Sequence, residues 1–130
     1  MKAVPSAEVV LLVEDDDGAR RLITRLLERA GYAVLAVDGG EEALLALERH
    51  EKPIHLLLTD LALKGISGVE VARRVGEKRP GMKVLCMSGY TGDEARIRGD
   101  LGAEVPFLGK PFTAPVLLES VRHTLDPGGR

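Results

Sequence analysis

Five short apolar runs, separated by stretches of helical period, constrain this chain more than any other feature of its sequence. The runs cover residues 9–13, 33–37, 55–59, 84–87 and 105–108, each rich in Val, Leu or Ala and each of strand length. Their apolarity is mostly continuous rather than alternating, as expected of strands buried on both faces. Between the first two runs, Ala19, Leu22, Ile23, Leu26, Leu27 and Ala30 recur at three- and four-residue spacing, opposite Arg20, Arg21, Arg25 and Glu28. That stripe predicts an amphipathic helix ended by Gly31 at the C′ position. Residues 42–49, 68–77 and 114–125 carry the same pattern, and 92–102, with glycine at 92, 99 and 102, predicts a weaker helix. Strands alternating with helices imply an α/β fold, a parallel sheet covered on both faces and joined by right-handed crossovers.

A chain of 130 residues suits one domain with a continuous core. We expect residues 1–130 to form that single domain, its core at about 8–126. Residues 1–7 and 127–130 read as loose ends, since Asp126-Pro127-Gly128-Gly129 cannot continue a helix. No apolar run approaches the roughly 20 residues that cross a bilayer, and the N-terminus lacks the apolar stretch of a signal peptide. The expectation is a soluble, cytoplasmic chain with no membrane insertion. A net charge of −2, with basic residues dispersed along the chain, gives no electrostatic reason to bind nucleic acid directly. Cys86 has no second cysteine to pair with and sits in an apolar run, so packing is the expected role. His50, His55 and His123 show no zinc-site spacing.

In folds of this class the ligand site lies beyond the carboxyl ends of the strands, and those ends are polar here. The first run leads into Glu14-Asp15-Asp16-Asp17, the third into Asp60, the fourth into Ser88 and the fifth into Lys110-Pro111. Neighbouring parallel strands lie roughly 5 Å apart, so carboxylates, a hydroxyl and one ammonium share a small crevice. A single lysine cannot neutralise Glu14, Asp15 and Asp60 together, whereas a hard divalent cation can. Magnesium suits oxygen ligands and leaves positions open for phosphate oxygens. Phosphoryl transfer to a carboxylate needs a nucleophile in line, a metal and donors for the remaining charge. Asp60, Mg2+, Lys110 and Ser88 fit those roles.

These residues resemble the receiver domains of bacterial response regulators and hybrid sensor histidine kinases. The resemblance runs through Leu-Leu-Val-Glu-Asp-Asp at 11–16, Leu-Thr-Asp-Leu at 58–61, Gly-Ile-Ser-Gly at 65–68, Met-Ser-Gly-Tyr at 87–90 and Phe-Leu-Gly-Lys-Pro-Phe at 107–112. It implies a flavodoxin-like doubly wound (βα)5 domain with strand order 2-1-3-4-5. It also implies Asp60 as phosphoacceptor and a metal site of Glu14, Asp15, Asp60 and the Ala62 backbone carbonyl. Ser88 and Lys110 would contact phosphoryl oxygens, Phe107 would act with Ser88 as a switch, and a cis bond would precede Pro111. Ala62 and Tyr90 occupy positions that tune acyl-phosphate lifetime in the family. Glu14 stands where Asp is commoner, and Lys64 replaces a frequent proline. The expected role is a phosphorylation-controlled switch with no external substrate. Its donor would be a sensor histidine kinase or phosphotransfer protein, and its reader a downstream protein or a domain of a parent chain.

Other readings of the same residues predict different chemistry. Acidic residues after a strand commonly cap helices, which suits Asp16 or Asp17, and Asp38 after the second run. Nucleotide binding on this fold would want a glycine-rich phosphate loop after the first strand, where the chain is acidic. Asp15-Asp16-Asp17-Gly18 formally matches the D-x-D-G nucleophile loop of haloacid-dehalogenase phosphatases, but that reading leaves Asp60 unexplained. An interaction domain without chemistry would be expected to lack at least one of the site positions.

Overall fold

A computed structural model describes residues 7–89, 94–102 and 104–127, the side chains of 94–96 excepted. The strands are β1 (Val9–Val13), β2 (Ala33–Val37), β3 (Leu56–Asp60), β4 (Lys83–Ser88) and β5 (Phe107–Gly109). The helices are α1 (Asp17–Arg29), α2 (Gly40–Arg49), α3 (Gly68–Lys78), α4 (Glu94–Leu101) and α5 (Ala114–Leu125). All strand pairings are parallel, in the order β2-β1-β3-β4-β5, which is the predicted doubly wound α/β architecture.

Three of the helices start at a side-chain cap. The Asp16 side chain accepts a hydrogen bond from the Ala19 N–H at 2.8 Å and caps α1, and Gly31 turns the chain at φ +103°, a left-handed conformation that other residues resist. Ser67 caps α3, and Thr113 caps α5 ahead of Pro115 in its first turn. Asp38 does not cap α2 as expected. The helix starts from Gly39 with no side-chain bond, because Gly40 is already helical and leaves Asp38 a residue too early.

Strand parity divides the core into two layers. Val10, Leu12, Leu56, Leu58, Leu85, Met87 and Leu108 face α1 and α5, packing on Ile23, Leu27, Leu117 and Val121. Leu11, Val13 and Leu57 face the other way, onto Ala43 and Leu47 of α2 and Val71, Ala72 and Val75 of α3. Edge strand β2 is partly exposed along its length. Leu22, which the periodicity assigns to the buried stripe of α1, is 57% exposed; the helix presents its Ile23 and Leu27 edge to the sheet instead.

The bounds of three strands differ from expectation: β4 runs one residue further at each end, and β3 and β5 both start and end later. His55 precedes β3: its N–H donates to the Val9 carbonyl at 2.8 Å and its Nδ1 accepts the Val9 N–H at 2.9 Å. Residues 105 and 106 precede β5, since Pro106 has no N–H for the ladder, although its carbonyl still accepts from the Cys86 N–H at 3.1 Å. The weak fourth helix spans Glu94–Leu101; Tyr90, Gly92 and the loose ends at 1–6 and 128–130 lie outside the described residues.

Candidate functional site

The parity that builds the core also gathers the polar residues. Leu56 and Leu58 face α1 and α5, and Asp60 follows them two residues on; Leu108 faces the same way and Lys110 follows it. Val10 and Leu12 are likewise followed by Glu14. Three side chains far apart in sequence thus meet at the carboxyl edge of β1, β3 and β5. Lys110 Nζ donates to Glu14 Oε1 and to Asp60 Oδ2, both at 2.9 Å.

Glu14 is 1% exposed, and Asp60 is also buried. A carboxylate that deep is costly without partners. Burial pushes the Glu14 pKa above the ordinary glutamate value, against the bonds from Lys110 and the Asp16 N–H that favour its charged form. For Lys110 burial acts downward, but the bonds to Glu14 and Asp60 outweigh it and hold the ammonium above the usual lysine value. Asp60 Oδ1 accepts the Ala62 N–H at 3.0 Å, which orients the carboxylate.

Asp15 completes an acidic group. Ligand oxygens of Glu14, Asp15 and Asp60 lie within 4.8 Å of one another. Three carboxylates against one ammonium leave a formal excess of two negative charges, which a divalent cation would cancel. Hard oxygen donors in this number suit Mg2+ or a similar ion, so the residues fit the metal the sequence implies.

Ser88 and Phe107 sit on the opposite parity. Cys86 pairs with Phe107 and Ser88 with Gly109 in the β4–β5 register. Ser88 is buried, and its carbonyl accepts the Lys110 N–H at 2.9 Å, so the serine is tied by backbone to the lysine's own segment. The Lys110–Pro111 bond is cis. The Arg98 guanidinium of α4 lies over the Phe107 ring, 4.7 Å from its centroid. Buried Cys86 has its thiol pushed up to about 12 by desolvation, which suits packing and not reactivity. Lys64 is exposed.

Sequence reasoning missed three features of this region. Arg20, assigned to the solvated face of α1, is only 20% exposed and reaches the Glu14 carbonyl. Gly40 packs so closely on Ile66 that a Cβ would lie 2.8 Å from the Ile66 Cβ. Arg98 stacks on Phe107. The first has a faint sequence signal, an arginine one turn into a helix that follows an acidic loop; the other two depend on tertiary packing.

The response regulator receiver domain profile matches residues 10–122. The chain belongs to that family, the receiver domains of two-component signalling. It is 34% identical over 116 residues to the response regulator receiver protein CpdR of Brucella abortus (strain 2308), covering 89% of this chain and 95% of CpdR. It is 31% identical over 117 residues to the sensor kinase CckA of the same organism, covering 90% of this chain but 12% of CckA. A receiver domain protein of Methanospirillum hungatei JF-1, described as CheY-like, superposes with a TM-score of 0.83 at 28% identity, covering 94% of this chain and 96% of that one. Among the described residues no helix is long and apolar enough to cross a membrane.

Proposed function

We propose that Asp60 accepts a phosphoryl group from a phosphohistidine, on a sensor histidine kinase or a phosphotransfer protein, and that the acyl phosphate resets the surface around residues 88–112. The observation that carries this reading is the Lys110 ammonium bridging Asp60 Oδ2 and Glu14 Oε1, with Asp15 in the same acidic group. An Asp60 oxygen attacks phosphorus in line, and the P–N bond breaks with its electron pair returning to the imidazole. Lys110 and the Ser88 hydroxyl offer donors for the phosphoryl oxygens, and the Ala62 N–H holds the carboxylate in place for attack. Mg2+ held by Glu14, Asp15, Asp60 and the Ala62 carbonyl would supply neutralisation of the phosphoryl charge.

No external substrate is turned over; the domain catalyses its own modification and its slow reversal, and works in the cytoplasm. Readout runs through Ser88 and Phe107, which share a face beside α4, to a downstream protein or a domain of a parent chain, and not through direct contact with nucleic acid. Treatment with acetyl phosphate and magnesium, reductive trapping and peptide mass spectrometry tests the assignment. Label on Asp60, abolished by Asp60→Asn, is expected. Label on Asp15 would favour the phosphatase-like alternative.

A further inference from the structure

Arg20 ties the first turn of α1 to the backbone from which two of the candidate metal ligands project. Its Nη1 donates to the Glu14 carbonyl at 2.9 Å and its Nη2 to Asp17 Oδ1 at 2.6 Å. The Arg20 N–H donates to the Asp16 carbonyl at 2.8 Å. From the other side, the Glu14 N–H donates to the Val37 carbonyl at 3.1 Å, and Glu14 Oε2 accepts the Asp16 N–H at 3.1 Å. The Glu14 carbonyl belongs to the planar Glu14–Asp15 peptide. A bond to that oxygen therefore fixes the plane whose two ends carry the Glu14 and Asp15 side chains. Lys110 holds the Glu14 carboxylate directly, but the half-buried Asp15 carboxylate has no hydrogen bond from another described residue. Its direction depends on its backbone.

We propose that Arg20 is a positioning residue for the divalent cation, holding the Glu14–Asp15 peptide in the orientation that aims Asp15 at the acidic group. The proposal rests on reading Glu14, Asp15 and Asp60 as a cation site. Charge alone predicts the opposite effect, since a guanidinium beside the site repels a cation and its removal should tighten binding. Asp17 damps that repulsion: its carboxylate lies 2.6 Å from the guanidinium, so the two charges largely offset. A fork is needed to reach Glu14 and Asp17 together, which an ammonium on one stem does poorly. Hence the sign of the change in affinity separates positioning from charge.

The test is Mg2+ titration of the full chain by calorimetry, with melting temperature in EDTA as the measure of fold. Partners that orient metal ligands are worth roughly 10- to 100-fold in affinity, and an indirect tie through the backbone belongs at the lower end. Arg20→Met is expected to weaken Mg2+ binding about tenfold, and Arg20→Lys to weaken it also although its charge is kept. If Arg20→Met fails to fold, Arg20→Lys alone decides. Unchanged or tighter binding in the folded variants overturns the proposal, provided Asp15→Ala still weakens binding. If Asp15→Ala binds as well as wild type, the cation site itself is wrong and the proposal falls with it.

Discussion

Replacing Gly68 with alanine would drive a methyl group into the backbone that carries Asp60. A Cβ at Gly68 would lie 2.2 Å from the Asp60 carbonyl oxygen, 2.8 Å from the Leu61 Cα and 3.0 Å from the Asp60 carbonyl carbon. Ordinary contact starts at 3.4 Å, so about 1 Å of movement is required, and every atom in the way is backbone. Those atoms are held in turn: Asp60 pairs with Met87, and the Leu61 N–H donates to the Met87 carbonyl at 3.1 Å. Overpacking of this kind costs about 1–3 kcal/mol, and the better helix propensity of alanine offsets less than ~1 kcal/mol of it. At roughly 4 °C per kcal/mol for a domain of this size, the net loss of roughly 0.5–2.5 kcal/mol should lower the melting temperature by roughly 2–10 °C. Displacing the nucleophile by that distance can cost on the order of 100-fold in rate, so labelling by acetyl phosphate should slow sharply at a temperature where the variant is folded. Gly76→Ala is the control. Gly76 is an exposed glycine of the same helix with nothing within 4 Å of its would-be Cβ, and its substitution should stabilise by about 0.5–1 kcal/mol. Circular dichroism melts and labelling time courses decide the matter. A Gly68→Ala protein that melts within 2 °C of wild type and is labelled at the wild-type rate would refute the reasoning.

Magnesium at about ten times its dissociation constant should stabilise the domain by about 1.4 kcal/mol, raising the melting temperature by roughly 5 °C; Asp15→Ala should lose most of that rise, and an equal response would remove Asp15 from the ligand set. Arg98→Ala should release the Phe107 ring from a cation–π contact of about 0.5–1 kcal/mol, shifting its rotamer population about two- to fivefold toward the space beside Ser88. The Phe107 ring resonances report that shift, and unchanged resonances would show that Arg98 does not restrain the ring.

Much of the fold was legible because each layer of the core obeys one period. The runs at 9–13 and 33–37 and the helix at 114–125 coincide with β1, β2 and α5, since apolar spacing alone delimits them. The boundaries that slipped did so for reasons outside periodicity. Pro106 withholds an N–H and delays β5, and α2 begins two residues ahead of its expected start, at Gly40, which packs on Ile66. Leu22 shows the limit of a helical stripe: spacing says which residues share a side of α1, not which edge of that side meets the sheet. Glu14, Asp15, Asp60 and Lys110, which meet in one group, could be picked out because strand ends in this architecture converge, and Ser88 ends β4 as expected. Arg20 and Arg98 could not, as a long side chain on a helix can lie along solvent or reach back into the protein, and only packing decides which.

The electrostatics of that convergence run against stability, which bears on what the site is for. A buried ion pair seldom repays the desolvation of its members, and an apolar replacement of similar volume is often no less stable. Here the imbalance is greater, because Lys110 serves two carboxylates while Asp15 adds a third negative charge nearby. Burial raises the Glu14 pKa in spite of its bonds to Lys110 and Asp16, so the charged form of that residue is held at a cost. Core parity places Asp60 and Lys110 on one face, but it would have done the same for leucines. Residues that cost stability at strand ends, carry two excess negative charges and leave one carboxylate without a described donor are what the proposed cation site requires. Under the proposed function a divalent cation would supply the missing positive charge and an incoming phosphoryl group would then use the ammonium, in keeping with Lys110 bridging both acids.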